Sequence, residues 1–306
     1  MKVDKVKGHM AMIVANMAWG LMSPFVKSVV VNSNIDAWTI VAYRVIGATL
    51  AFWTASLFIP KERIPFKDLK WLVLGALFGI ILNQGVFVLG VSYTSPINAS
   101  IVTTTLPIIA MIISAFYLKE PVTWKKIGGI IIGATGAIVI ILNSSSGKNF
   151  GELGMKGILL CFAAQFSYAI YFVFFKKIIS RYHSITIMKW MFLFSSFIYL
   201  PLTWSNITTI DYTNMPVSVI GQIGFIVLGS TFFSYMMIPI AQKYLRPTVA
   251  TMYNNVQPVV AAVAAVFMQI DSFGWPKVFA ILLVFSGVYL VTTSKAKEDI
   301  AKDKAG

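Results

Sequence analysis

Apolar runs about one bilayer wide recur along the whole chain, each closed by charge, proline, asparagine or glycine. A helix needs roughly 20 mainly apolar residues to cross hydrocarbon. The first runs therefore predict spanning helices near 8 to 31, 37 to 59, 71 to 92, 97 to 118 and 124 to 142. After the Ser/Gly-rich stretch Asn143 to Gly154, a second group is predicted near 155 to 175, 185 to 204, 217 to 240, 248 to 269 and 275 to 293. The fold class expected is an all-α membrane protein with ten transmembrane helices, since backbone in lipid must satisfy its own hydrogen bonds.

Charge orients these helices. Alternate connections on one side hold Lys2, Lys5 and Lys7, then Lys61, Arg63, Lys67 and Lys70, then Lys119, Lys125 and Lys126. The same side continues with Lys176, Lys177 and Arg181, with Lys243 and Arg246, and with the lysines of the tail, against Lys148, Lys156 and Lys277 opposite. The positive-inside rule places both termini in the cytoplasm of a cell that exposes this protein in its inner membrane. The basic start, Met1 to Gly8, runs into an apolar stretch too long for a signal peptide and is expected to remain as the first helix. The composition, 58% hydrophobic and 12% charged with a mean hydropathy of +0.78, leaves no room for a soluble domain. The net charge of +14 is explained by loops facing anionic lipid, so nucleic acid is not an expected partner. Cys161 is the single cysteine and lies in an apolar run, which excludes an internal disulfide and a thiolate metal cluster.

The two groups of helices align with each other. At an offset of 151, Tyr93 meets Tyr244, Pro96 meets Pro247, Ala99 meets Ala250, Pro107 meets Pro258, Glu120 meets Asp271, Trp124 meets Trp275 and Gly136 meets Gly287. Near the start of each half the offset is 149, where Gly8 meets Gly157, Asn16 meets Gln165, Trp19 meets Tyr168 and Lys27 meets Lys176. The domains are thus a first five-helix repeat at 8–142, a second at 153–293 and a cytoplasmic tail at 294–306. Five is odd, so the second repeat must enter the membrane from the opposite side. Inverted repeats are a recurrent device of secondary transporters, because two near-equivalent halves can exchange outward-open and inward-open forms.

The run Tyr93-Thr-Ser-Pro-Ile-Asn-Ala-Ser, then Pro107, Tyr117-Leu-Lys-Glu120 and the Gly-rich helix Gly128 to Gly136 resembles the EamA-type unit of the drug/metabolite transporter superfamily. Ala18-Trp19-Gly20 and Tyr43-Arg44 add to the likeness. The second half departs from the pattern, with Asp271 for the glutamate, Tyr168 for the tryptophan, and Lys189 or Met191 near the arginine position. The resemblance implies two inverted five-helix repeats around a central cavity that moves metabolites such as amino acids, often outward.

Polar side chains are costly in hydrocarbon and are expected to face the bundle interior or a water-filled cavity. On a helix, Asn16 and Trp19 share a face with Ser23 and Lys27, and Gln165 and Tyr168 share the matching face in the second half. Thr103, with Ser100, Thr104 and Pro107, answers to Asn254, with Thr251, Asn255 and Pro258. Asn83, Gln84 and Tyr235 are expected to complete the wall. The alternative for the hydroxyls is bonding back to helix carbonyls, and for the aromatics plain packing. The amides have more hydrogen-bonding groups than one helix neighbour supplies. Arg44 either snorkels or faces the cavity, where its fork of donors would attract a carboxylate or phosphate. Lys27 and Lys189 are expected to snorkel. The candidate substrate cavity is therefore Asn16, Trp19, Arg44, Asn83, Gln84, Thr103, Gln165, Tyr168, Tyr235, Asn254 and Asn255. Pro107 and Pro258, each freeing a carbonyl near mid-membrane, are candidate hinges. The glycine pairs Gly75/Gly79 and Gly129/Gly133 are read as close helix packing only.

No GxxxxGK[ST] occurs, so no ATPase subunit is expected, and neither HExxH nor a cysteine–histidine pairing suggests a metal site, a cofactor or catalysis. The function expected is a secondary transporter, an exporter or facilitator of small organic metabolites working by alternating access. The alternative is a non-transporting membrane protein, either an intramembrane enzyme or a receptor or scaffold. All 11 acidic residues are read as loop or tail residues, none deep in a span; the alternative relays are Glu120 at a helix end or a cavity-lining Tyr or Lys. Facilitated diffusion or solute exchange is therefore expected rather than proton coupling.

Overall fold

Apolar runs of this length leave the backbone one economical solution in lipid, and helices supply it; no strand occurs among the described residues. The computed structural model describes residues 2–117, 123–145, 151–210, 212–213, 215–245, 247–270 and 274–293. The paired loop residues Glu120 and Asp271, together with Asp211, Arg246 and the 294–306 tail, lie outside them.

In the first half, α1 (Lys2–Asn32) and α2 (Ala37–Ala55) are followed by a rod of α3 (Phe66–Ala76), a π-helical stretch (Leu77–Gly85) and α4 (Val86–Tyr93). Next come α5 (Pro96–Thr103) and α6 (Leu106–Tyr117), broken at Thr104 and Thr105, and then α7 (Trp124–Ser145). The second half repeats the plan. It has α8 (Gly151–Phe174) with the short α9 (Lys176–Ile179), then α10 (Ser184–Thr208), then α11 (Val217–Gly224), a π-helical stretch (Phe225–Phe233) and α12 (Ser234–Tyr244). It closes with α13 (Pro247–Thr251), a 3-10 turn (Met252–Asn255), α14 (Val256–Phe267) and α15 (Trp275–Thr292). Among the described residues, seven helical stretches are long and apolar enough to cross a membrane.

Local signals set several helix starts. Asp36 Oδ1 accepts from the Thr39 amide at 2.9 Å ahead of α2, and Ser95 Oγ accepts from the Asn98 amide at 3.2 Å ahead of α5, with Pro96 in the first helical position. The predicted start of the sixth helix at 155 moves back to Gly151, because helix continues through residues whose glycine content reads as loop.

The halves pack on each other in matching pairs. A Cβ on Gly8 would lie 3.1 Å from Leu245 Cγ, and one on Gly157 would lie 2.7 Å from the Gly90 carbonyl oxygen. The start of α1 thus meets the end of α12 as the start of α8 meets the end of α4. Gly287 of α15 lies so close to α7 that a Cβ would fall 2.5 Å from Gly129 O and 2.6 Å from Gly133 N. Lys27, expected to snorkel, instead donates from Nζ to Ser92 O at 2.9 Å, and its mate Lys176 donates from Nζ to Leu245 O at 3.0 Å. Each thereby caps a helix C-terminus, where carbonyls lack intrahelical partners and the dipole favours a cation.

A candidate substrate cavity between the two halves

The interior cavity is walled by α1, α2, the π stretch with α4, α5, α8, α12, the turn before α14 and the start of α14 itself. It is lined by Trp19, Met22, Arg44, Asn83, Gln84, Phe87, Thr103, Gln165, Tyr168, Tyr235, Asn254 and Gln257. It is narrow, with about 40 Å³ open to water-sized occupants, room for a few waters and less than an organic ligand fills.

Nine of the sequence-selected residues line it; Asn16 and Asn255 do not. Asn16 is fully buried just outside, its amide spent on bonds to Met12 O at 2.8 Å and from Gln257 Nε2 at 2.6 Å. Asn255 closes the 3-10 turn, which rotates it off the α14 face assumed for a continuous helix. Gln257, two residues further on in α14, lines the cavity. Met22 and Phe87 also line it, and an apolar side chain in an apolar run gives no sequence signal.

Trp19, Tyr168 and Tyr235 form an aromatic cluster, with Trp19 edge-on to Tyr168 at 5.9 Å and to Tyr235 at 5.6 Å between ring centroids. Trp19 Nε1 donates to Ser230 O at 2.8 Å. Ser230 sits in the second π stretch, and the first is engaged in the same way: Ser167 Oγ donates to Phe78 O at 2.7 Å and Tyr199 OH to Ile81 O at 2.6 Å. A π turn misaligns the main-chain ladder, so its carbonyls are open to side-chain donors from neighbouring helices. The prolines act similarly. Pro107 cannot donate to Thr103 O, and Asn254 Nδ2 reaches that oxygen at 3.4 Å from the equivalent position of the other half. The hydroxyls of Ser100, Thr103 and Thr104 bond back to their own helix, at 2.7, 2.6 and 2.6 Å, and of the three only Thr103 lines the cavity. Asn83 ties the halves, donating to Ala164 O at 3.0 Å and accepting from Tyr235 OH at 3.3 Å.

Arg44 decides the electrostatics. It is 2% exposed, its Nε donates to Thr231 Oγ1 at 2.9 Å, and its Nη1 has no partner. Gln165 Oε1 and the Tyr168 hydroxyl are likewise buried and unpartnered. No Asp, Glu or His lines the cavity among the described residues. An isolated cation in low dielectric is costly, so this wall is complementary to an anionic group. Groups of three or more residues able to hold a metal are absent among the described residues.

The sequence matches the EamA-like transporter family over residues 6–142 and 155–293. The chain belongs to that family. It is a multi-pass membrane protein with the role of a transporter. Among its relatives, an uncharacterized transporter of Archaeoglobus fulgidus is 29% identical over 79% of this chain and 84% of its own. A WAT1-related protein of Arabidopsis thaliana is 24% identical over 97% of this chain and 88% of its own. The uncharacterized transporter YyaM of Bacillus subtilis is 22% identical over 79% of this chain and 81% of its own. One solved crystal structure of a protein superposes with a TM-score of 0.66 at 16% identity, over 95% of this chain and 98% of that one. That likeness concerns the fold alone.

Proposed function

We propose that this EamA-family protein is a secondary transporter of ten spans, two inverted five-helix repeats, with both termini in the cytoplasm. It carries small organic molecules that combine a carboxylate with an apolar part, amino acids among them, through the cavity around Arg44. The observation that carries this reading is a buried guanidinium with one side-chain partner, facing a wall of amides and aromatics that contains no acid. The carboxylate would meet Arg44 Nη1 and the Tyr168 hydroxyl, a donor on the ligand would meet Gln165 Oε1, and the apolar part would lie against Trp19 and Phe87.

A cavity narrower than its ligand must open, which favours alternating access. The breaks before Pro107 and Pro258 are the proposed bending points, each lying at a freed carbonyl in the rod that lines the cavity. With no titratable acid in the wall, transport runs as facilitated diffusion or exchange. Net movement follows the solute gradient, outward when the cytoplasm holds more. Purified protein in liposomes loaded with a mixture of labelled metabolites tests this. Loss of carboxylate-bearing solutes without chemical change and without an imposed pH gradient is the expected result. Chemical conversion, exclusive movement of organic cations, or strict dependence on a proton gradient would overturn it.

A further inference from the structure

A second cavity, about 340 Å³, opens on the face that bears the basic loops, where the start of α3 and the end of α6 meet the end of α8 and the turn after α9. It therefore lies on the seam between the two halves. Among the described residues its rim carries Lys67, Lys177 and Arg181, against a single carboxylate, Asp68. Asp68 Oδ2 is already engaged, by Tyr182 OH at 2.6 Å and by Arg181 Nη1 at 3.4 Å. That hydrogen bond to Asp68 holds the Tyr182 phenol above its ordinary pKa. The Lys67 and Lys177 side chains are exposed and make no ion pair or hydrogen bond among the described residues, and the Arg181 side chain is 51% exposed. Among the described lining residues, cations therefore exceed carboxylates by two. Its floor is aromatic. Tyr117 stacks on Phe174 with centroids 4.0 Å apart, Trp71 stands edge-on to Phe175 at 6.1 Å, and Trp71, Tyr117 and Phe174 each remain about half exposed.

The fold does not require this charge, as the symmetry-related seam on the opposite face makes plain. There the positions matching Phe174, Lys177 and Arg181 are Phe25, Ser28 and Asn32, and Tyr117 is matched by Met268. The stretch matching Lys67 to Trp71 falls within Met215 to Gln222, which holds no ionisable residue in either register. At the matching positions no cation occurs among the described residues, while this seam gathers three around aromatic side chains.

We propose that this seam is a binding site for the headgroup of an anionic phospholipid, with Lys67, Lys177 and Arg181 on the phosphate and Trp71, Tyr117 and Phe174 against the glycerol and upper acyl chain. Aromatic side chains favour that depth, and basic pockets between helices suit anionic headgroups. One phosphodiester would bridge Lys67 of the first half to Lys177 and Arg181 of the second and hold this face of the bundle closed.

The full chain, purified in detergent, tests this by thermal denaturation and native mass spectrometry with added phosphatidylglycerol or phosphatidylcholine. Phosphatidylglycerol is expected to bind saturably and raise the melting temperature, while phosphatidylcholine and inorganic phosphate leave it unchanged. The double substitution Lys67→Gln/Lys177→Gln spares the Asp68 bonds and should weaken phosphatidylglycerol binding about 30-fold, at roughly tenfold or less per lysine. The same charge removed outside the cavity, Lys61→Gln/Arg63→Gln, should change binding by no more than about threefold. Equal losses in the two doubles would mean a diffuse surface potential and overturn the site. So would an equal response to phosphatidylcholine, or an equal shift with inorganic phosphate. None of these outcomes depends on the transported solute.

Discussion

The two halves of the molecule share their backbone devices and divide their chemistry. Each has a nine-residue π stretch, Leu77–Gly85 and Phe225–Phe233, each breaks one rod near a proline, and each caps a helix C-terminus with a lysine. Only the first half brings charge to the cavity. Near the place of Arg44 in α10, Lys189 Nζ lies over the Trp53 ring at 5.0 Å and Met191 is buried in the core. A cavity lined by residues of both halves is common to both, so one guanidinium serves it, and a second would add repulsion between buried like charges. Backbone devices act within each half and are needed twice.

Removing the asymmetric charge is the strongest way to break this comparison. Arg44→Gln should reduce transport of carboxylate solutes at least about 30-fold, since losing one partner of a buried charged pair costs roughly 2–5 kcal/mol. Uptake into proteoliposomes measures it, and Arg44→Lys should recover little because the fork is lost. Moving the charge to the other half, Arg44→Gln with Met191→Arg, should not restore activity if position on α2 matters.

Next in size is a packing contact built from both halves. Gly287→Leu forces a side chain into the α7 backbone and should destabilise the protein by about 1–3 kcal/mol. The expected signs are a lower melting temperature and lower yield with unchanged solute preference among the surviving protein. A stable variant would mean that α15 can move away from α7 at little cost.

The Trp19 and Tyr168 pair sharpens the comparison further. Trp19 Nε1 is committed to Ser230 O, whereas the Tyr168 hydroxyl has no partner. Trp19→Phe should lower stability by about 1 kcal/mol. Tyr168→Phe should leave stability equal or slightly higher while weakening solute binding several-fold. The opposite pattern in thermal shift and binding titration would reverse the roles assigned to the two rings.

The smallest effect concerns the two helix caps. Lys27→Met and Lys176→Met should each cost about 0.5–1 kcal/mol and by similar amounts, because each removes one bond to a helix C-terminal carbonyl. Unequal costs in chemical denaturation would show that the two faces of the bundle are not equivalently braced.

By itself, the sequence determined the helical class, the self-similarity of the halves and most of the cavity wall. Apolar run length and the price of polar atoms in lipid act on each segment separately, so residues such as Asn83, Gln84 and Gln165 announce an interior position without any knowledge of neighbours. Pro107 announced its freed carbonyl in the same way. Tertiary structure decided the rest. The π stretches leave no mark in the apolar pattern, because a one-residue widening of a turn is stabilised by donors from other helices, Ser167, Tyr199 and Trp19. The 3-10 turn Met252–Asn255 rotated Asn255 out of the wall, and Asn16 found its partner in Gln257, 241 residues away. The fate of Lys27 was settled by a carbonyl on another helix, and that of Arg44 by a threonine in the other half. Periodicity reports which face of a regular helix is polar, while the cavity is made where the helices stop being regular and where partners distant in sequence meet.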